Sequence, residues 1–218
     1  MDEEILLIDK PAGMSSFGVV ARVRRKLSSA VGKKVKVGHT GTLDPFATGL
    51  LILLAGKGTK RSNEFLKLDK KYEATVRLGA KSTTGDIEGE ITETGAEPVS
   101  EEEVKKVVQS FLGEIEQRVP SFSAVKINGE RAYKLARKGV AVEMPVRKVK
   151  IYEIEVLDYK WPNLKIRCHV SSGTYIRTLG EDIGEKLGVG GYLTELRRTE
   201  VGKYKVSSAV ELDEFMEK

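Results

Sequence analysis

The chain predicts an α+β fold built on a central mixed, mostly antiparallel sheet flanked by helices. Three observations carry that expectation. Short apolar runs and amphipathic helical segments are interspersed, without the regular strand–helix–strand order of a doubly wound sheet. The segment Tyr72-Glu73-Ala74-Thr75-Val76-Arg77-Leu78 alternates strictly, the period of a strand with one buried face. With 218 residues, 40% of them hydrophobic, the chain is long enough to bury a real core. It is read as one domain over residues 1–218.

The elements follow in order. Ile5 to Ile8 reads as a short buried strand ended by Asp9-Lys10-Pro11. Ser15 or Ser16 caps a helix with Val20, Val23 and Leu27 on one side and Arg22, Arg25 and Lys26 on another. Leu50 to Leu54 is an interior strand, and Lys57 to Leu68 looks helical and basic. After the 72–78 strand, Thr83-Thr84-Gly85-Asp86 turns into a short polar strand near Glu90. Ser100-Glu101-Glu102-Glu103 has the form of a capping box, opening a helix to about Leu112. A strand around Ile115 to Val119 follows. Asn128-Gly129 signals a tight turn, and Arg131 to Lys138 a short basic helix closed by Gly139. Val149 to Asp158 and Leu164 to Val170 are strands; in the second, Leu164, Ile166, Cys168 and Val170 share one face. Thr174 to Leu187 is helical, Gly191 to Arg198 extended, and Ser207 or Ser208 caps a final helix.

Composition narrows the chemistry. No apolar run approaches the roughly 20 residues that span a bilayer, and the acidic N-terminus lacks the order of a signal peptide. Cys168 is the only cysteine, so the cytoplasm is the expected compartment. Net charge is +5 but unevenly spread. Residues 21–36 hold seven Lys/Arg and no acid, and residues 126–150 have a local balance of +6, while residues 86–116 reach −8. Such segregation suits a polyanion on a basic face. Cys168, His39 and His169 do not have zinc-site spacing, and Cys168 and His169 point to opposite faces of one strand. There is no nucleophile elbow and no phosphate loop. Neither cofactor nor metal is expected. What remains is a carboxylate with basic and aromatic helpers.

That carboxylate stands in Gly38-His39-Thr40-Gly41-Thr42-Leu43-Asp44-Pro45-Phe46-Ala47-Thr48-Gly49. Proline disfavours helical geometry at the preceding residue, so Asp44 is expected on extended or turning backbone at a loop edge. On position alone it could be a nucleophile or a turn-forming anchor.

The order of motifs closely resembles the TruB family of pseudouridine synthases, which isomerise uridine 55 in the T-loop of tRNA. The likeness runs from Asp9-Lys10-Pro11-Ala12-Gly13-Met14-Ser15-Ser16 through the Asp44 loop and Lys71-Tyr72-Glu73-Ala74. It continues through Thr84-Gly85-Asp86, Ser123-Ala124-Val125-Lys126 and Ser172-Gly173-Thr174-Tyr175-Ile176-Arg177, and ends at Leu196-Arg197-Arg198-Thr199. The resemblance implies the pseudouridine synthase fold, with an RNA-binding thumb inserted at about 120–150. It makes Asp44 the catalytic nucleophile, Arg177 its ion-pair partner, and Tyr72 an aromatic wall and candidate proton-transfer group. His39 would hold the target base out of its loop. Lys10, Tyr175 and Leu196 join the substrate-facing set, and Lys126, Arg131, Lys134, Arg137 and Lys138 form the thumb clamp. The partner implied is the tRNA T-arm, engaged by a monomer with no protein partner and no membrane. Family members usually continue into a C-terminal RNA-binding domain, commonly a PUA domain. Here one short acidic helix follows the last motif, which reads as either a minimal catalytic domain or a truncated chain.

The residue types suit the reaction. The bond from uracil N1 to ribose C1′ breaks and the ribose rejoins C5, with no net oxidation or hydrolysis. A carboxylate can attack the sugar or stabilise positive charge at C1′. A stacked uridine must be flipped to reach it, at a few kcal/mol. Three other readings belong beside this one: a non-catalytic RNA-binding module or tRNA chaperone, a guide-RNA-dependent relative, and a synthase with a different uridine target.

Overall fold

The structure is a computed structural model that describes residues 4–127, 129–140 and 142–217. Its first strand, β1 (Glu4–Lys10), leads through a turn to α1 (Ser16–Val31). Ser15 caps α1, its hydroxyl accepting the Gly18 N–H at 3.0 Å, and Gly32 ends it in the left-handed region at φ 68°. Next come β2 (Val37–His39) and β3 (Thr48–Ala55), the latter buried along nearly its whole length. The basic stretch read as one helix is a 3-10 turn (Gly56–Arg61) followed by the single-turn α2 (Ser62–Leu66). Glycines at 56 and 58 make a continuous α-helix costly there.

The alternating strand is β4 (Lys70–Leu78), and it buries Tyr72, Ala74, Val76 and Leu78 as expected. A small hairpin, β5 (Ala80–Ser82) with β6 (Ile91–Glu93), precedes α3 (Glu101–Gln109), which Ser100 caps through the Glu103 N–H. Then follow β7 (Gly113–Arg118), β8 (Lys126–Ile127), β9 (Glu130–Arg131) and α4 (Ala132–Arg137). β8 and β9 pair antiparallel around the expected turn; of its two residues, Asn128 lies outside the described residues and Gly129 has φ 88°. The long β10 (Val146–Lys160) pairs with β11 (Asn163–Val170), whose buried face is the one expected. The chain closes with α5 (Ile176–Lys186), β12 (Gly191–Val201), β13 (Tyr204–Lys205), β14 (Val210–Glu211) and α6 (Leu212–Glu217). The expected caps Ser207 and Ser208 instead belong to a 3-10 turn, and α6 begins only after β14 has paired with β1.

Two compact units share the chain: residues 1–73 with 195–218, and residues 74–194. In the first, the strand order is β14-β1-β3-β12-β4, with β2 added on β3 and β13 on β12. β1–β3 is antiparallel, while β1–β14 and β3–β12 are parallel. Leu50, Ile52, Leu54, Phe65 and Val201 form its core. In the second, the order is β12-β4-β11-β10-β7, and β7, β10 and β11 are antiparallel neighbours. The sheet is therefore mixed and mostly antiparallel, as the pattern predicted. The thumb segment falls wholly in the second unit, where Val119, Ala132 and Met144 make a small core of their own.

Candidate active site

Asp44 lies on the connection between β2 and β3 in the first unit. At the start of β3, Gly49 is the centre of a row across three strands, with Lys10 of β1 on one side and Arg198 of β12 on the other. A Cβ on Gly49 would stand 2.3 Å from the Arg198 carbonyl oxygen, and φ there is 102°. Only glycine lets the strands meet so closely.

The two basic side chains of that row hold the loop from below. Lys10 is fully buried, its ammonium donating to the carbonyls of Pro11 (2.8 Å), Met14 (2.6 Å) and Pro45 (3.1 Å). Arg198, 2% exposed, donates to the carbonyls of Leu50 (2.8 Å), Gly41 (3.0 Å) and Thr42 (3.5 Å). Buried Ser16 supplies the third grip: its hydroxyl donates to the Leu43 carbonyl and accepts the Leu43 N–H, both at 2.8 Å. The Gly13 N–H donates to Pro45 O at 2.9 Å. The backbone on both sides of Asp44 is therefore fastened by partners far away in sequence. His39 helps shape the same loop, its Nδ1 accepting the Gly41 N–H at 3.4 Å.

Lys70 adds another buried cation. It donates to the carbonyls of Leu66 (3.1 Å) and Leu68, and burial, with the Arg198 charge as a second cause, pushes its ammonium down to about 8. On the interior strand β12, Arg197 forms a two-pronged pair with Asp9 (3.1 and 2.6 Å). Adjacent strand residues point to opposite faces, so Arg197 and Arg198 divide these tasks. Tyr72 and Leu196, each 7% exposed, belong to the buried surface of this unit.

Arg177 belongs to the second unit, on the first turn of α5, and is 3% exposed. Its guanidinium donates to Thr84 O (2.7 Å) and Phe122 O (2.8 Å), and its Nε is 3.5 Å from Asp86 Oδ2. Asp86 is itself buried, with Oδ1 accepting from Thr84 Oγ1 (2.5 Å) and the Glu88 N–H (3.0 Å). Thr84 and Phe122 also border a cavity of about 500 Å³, with Glu181 and Asp182 on its wall. Burial pushes the Glu181 carboxyl up to about 7, against the pull of Arg177, and Asp182 up to about 6. Tyr175 precedes α5 and is locked to Gln117 by two hydrogen bonds, N–H to Oε1 at 2.7 Å and Nε2 to O at 3.0 Å.

The thumb cations Lys126, Arg131, Lys134, Arg137 and Lys138 are all exposed. Lys138 pairs with Glu130 (2.8 Å), Arg131 donates to Ala124 O (3.0 Å), and Arg137 stands over the Tyr133 ring. Lys10 has no exposed surface and donates to three carbonyls, so it braces the Asp44 loop. Sequence reasoning missed Ser16, Lys70, Asp86, Arg198 and Glu181. Arg198 had a signal, an arginine at a buried phase of a strand. Cys168 is inert, as its 1% exposure pushes the thiol up to about 12.

Comparison with known proteins adds the relatives. Residues 24–176 match the sequence model of the TruB family pseudouridylate synthase N-terminal domain. Residues 177–218 match that of the tRNA pseudouridylate synthase B C-terminal domain. The tRNA pseudouridine synthase B of Phocaeicola vulgatus is 47% identical, over 98% of this chain and 92% of its own. That of Aquifex aeolicus is 46% identical, over 97% of this chain and 72% of its own. A chain in the crystal structure of a Cbf5-Nop10-Gar1 complex superposes with a TM-score of 0.76 at 32% identity, covering 98% of this chain and 53% of that one.

Proposed function

Because the chain belongs to the TruB family of pseudouridylate synthases, we propose that it isomerises uridine to pseudouridine in tRNA, at position 55 of the T-loop, with Asp44 as the nucleophile. The observation that carries this reading is the fastening of the Asp44 loop. Carbonyls at 41, 42, 43 and 45 are each held by a named donor. A carboxylate whose backbone cannot drift is pre-organised for a sugar carbon brought to it. His39 on the same loop fits the base-holding group, and Tyr72 on β4 fits the aromatic wall that the resemblance implies.

In the proposed cycle the target uridine is flipped from the T-loop, at a few kcal/mol offset by phosphate contacts along the thumb. Asp44 meets C1′ as the N1 bond breaks, and the freed uracil turns against Tyr72 while closure keeps water out. The ribose rejoins at C5, and the C5 proton leaves last. The family resemblance assigns Arg177 the role of the cation that serves the reacting carboxylate. Tyr175 and Leu196 keep the substrate-facing roles the family resemblance implies, Lys10 acts through the loop it braces, and the protein works as a monomer without a guide RNA.

The test is release of tritium from uracil C5 of an unmodified tRNA transcript, without added RNA or protein. Wild type should release it and Asp44→Asn should not, while the variant still binds the transcript. Release at the wild-type rate by Asp44→Asn would refute the assignment, and mapping the modified nucleotide checks the position.

A further inference from the structure

We propose that the open face of α1 is an RNA-contacting surface in which Phe17 stacks on a nucleobase beside the target uridine and Arg24 meets the phosphate backbone. The proposal rests on the isomerase reading above and names a contact outside the thumb.

The helix α1 has three faces with different occupants. Val19, Val20 and Val23 are buried in the first unit. Arg22 and Lys26 are turned to α6: Arg22 is 3.8 Å from Asp213, and Lys26 donates to Met216 O at 3.0 Å and stands over the Phe215 ring. The remaining line, exposed Phe17 with half-buried Ala21 and Arg24, follows the i, i+4, i+7 spacing of one helical face. Phe17 is 65% exposed, well beyond any other exposed large hydrophobic side chain among the described residues.

A single bare phenylalanine is ordinary on a protein surface. Its place makes this one informative. Phe17 follows Ser16, whose hydroxyl grips Leu43, and the turn before it supplies the Gly13 N–H that grips Pro45. Leu43 and Pro45 are the two neighbours of Asp44. The exposed ring therefore emerges from the same turn that holds the nucleophile. Seven helical residues place Arg24 about 10 Å farther along the axis, a span of one to two nucleotides. No acid occurs between Glu4 and Asp44 apart from Asp9, which is paired with Arg197, and the carboxylate of Asp213 on α6 stands at the Arg22 face of the helix, not on the Phe17 line. An aromatic face followed by a guanidinium on an acid-free helix matches a base and its phosphate, and stacking tolerates any base.

Binding of a T-arm hairpin, titrated directly, tests the proposal apart from turnover. Phe17→Ala should weaken binding about tenfold, within the range of a lost base–aromatic stack. Phe17→Tyr should restore affinity and Phe17→Leu should not, because aliphatic bulk cannot stack. Arg24→Ala should lower the slope of log affinity against log salt by about 0.7–0.9. Unchanged binding by Phe17→Ala, or equal rescue by Leu and Tyr, would overturn the stacking. An unchanged slope for Arg24→Ala would overturn the phosphate contact. Failure of the isomerase reading would instead show as tritium release surviving Asp44→Asn, whatever these titrations give.

Discussion

Replacing Ser16 by alanine separates holding the fold from holding the nucleophile. The hydroxyl serves both backbone groups of Leu43 at 2.8 Å and is buried with them. Alanine leaves one N–H and one C=O without that partner, and each unmet buried group costs about 1–3 kcal/mol. A loop held rigid would lose the sum. Thr42 next door is exposed, so the loop can shift to find water and recover part of it. The expected loss is about 2–3 kcal/mol, or roughly 5–10 °C in melting temperature for a chain of this size. The same shift displaces Asp44, and about 1 Å of misplacement at a reacting group costs on the order of a hundredfold in rate. Ser15→Ala is the control: its exposed hydroxyl caps only the Gly18 N–H, so it should cost about 1 kcal/mol and leave kcat alone. Urea unfolding and single-turnover tritium release read the two quantities. If Ser16→Ala unfolds and turns over like Ser15→Ala, the loop is not held as described.

Other consequences follow from the same contacts. Gly49→Ala forces a methyl to within 2.3 Å of the Arg198 carbonyl at φ 102°, and a paired strand cannot swing aside; urea titration should show a loss of about 4 kcal/mol, and a loss under 1 would refute the close approach. Asp86→Asn removes the carboxylate 3.5 Å from the Arg177 guanidinium; stability should fall by about 3 kcal/mol and kcat by at least tenfold, read by melting and tritium release. Glu181 has a folded pKa raised to about 7, so the native state holds its proton more tightly and this group's contribution to stability falls as pH rises from about 4.5 to 7. Glu181→Gln should therefore be more stable than wild type above pH 7, by about 1–2 kcal/mol after solvent screening, with the advantage gone below pH 4.5. The paired change Lys126→Ala and Lys134→Ala should lower the salt slope of tRNA binding by about 1.5; an unchanged slope would remove the thumb clamp.

Local order was readable from the sequence where the chain neighbours itself. The faces of β4 and β11 followed from alternation at period two, and the caps at Ser15 and Ser100 from short polar side chains before helical runs. The Asp44 loop could be found because its glycines, threonines and proline are contiguous. Errors arose where local and tertiary preferences diverged. The 57–68 stretch breaks into a 3-10 turn and a single helical turn, and Ser207 and Ser208 give way to a strand pairing with β1.

What only the tertiary structure decided is which polar groups are taken out of water together. Arg198 reaches carbonyls about 150 positions earlier in the chain, Ser16 meets Leu43 27 residues on, and Asp86 faces Arg177 across 91 positions of sequence. Nothing in spacing or propensity encodes those pairs, because a buried charge or hydroxyl is tolerable only once its partner has been folded against it. The sequence specified a carboxylate on a loop; the fold determined which side chains keep that loop still.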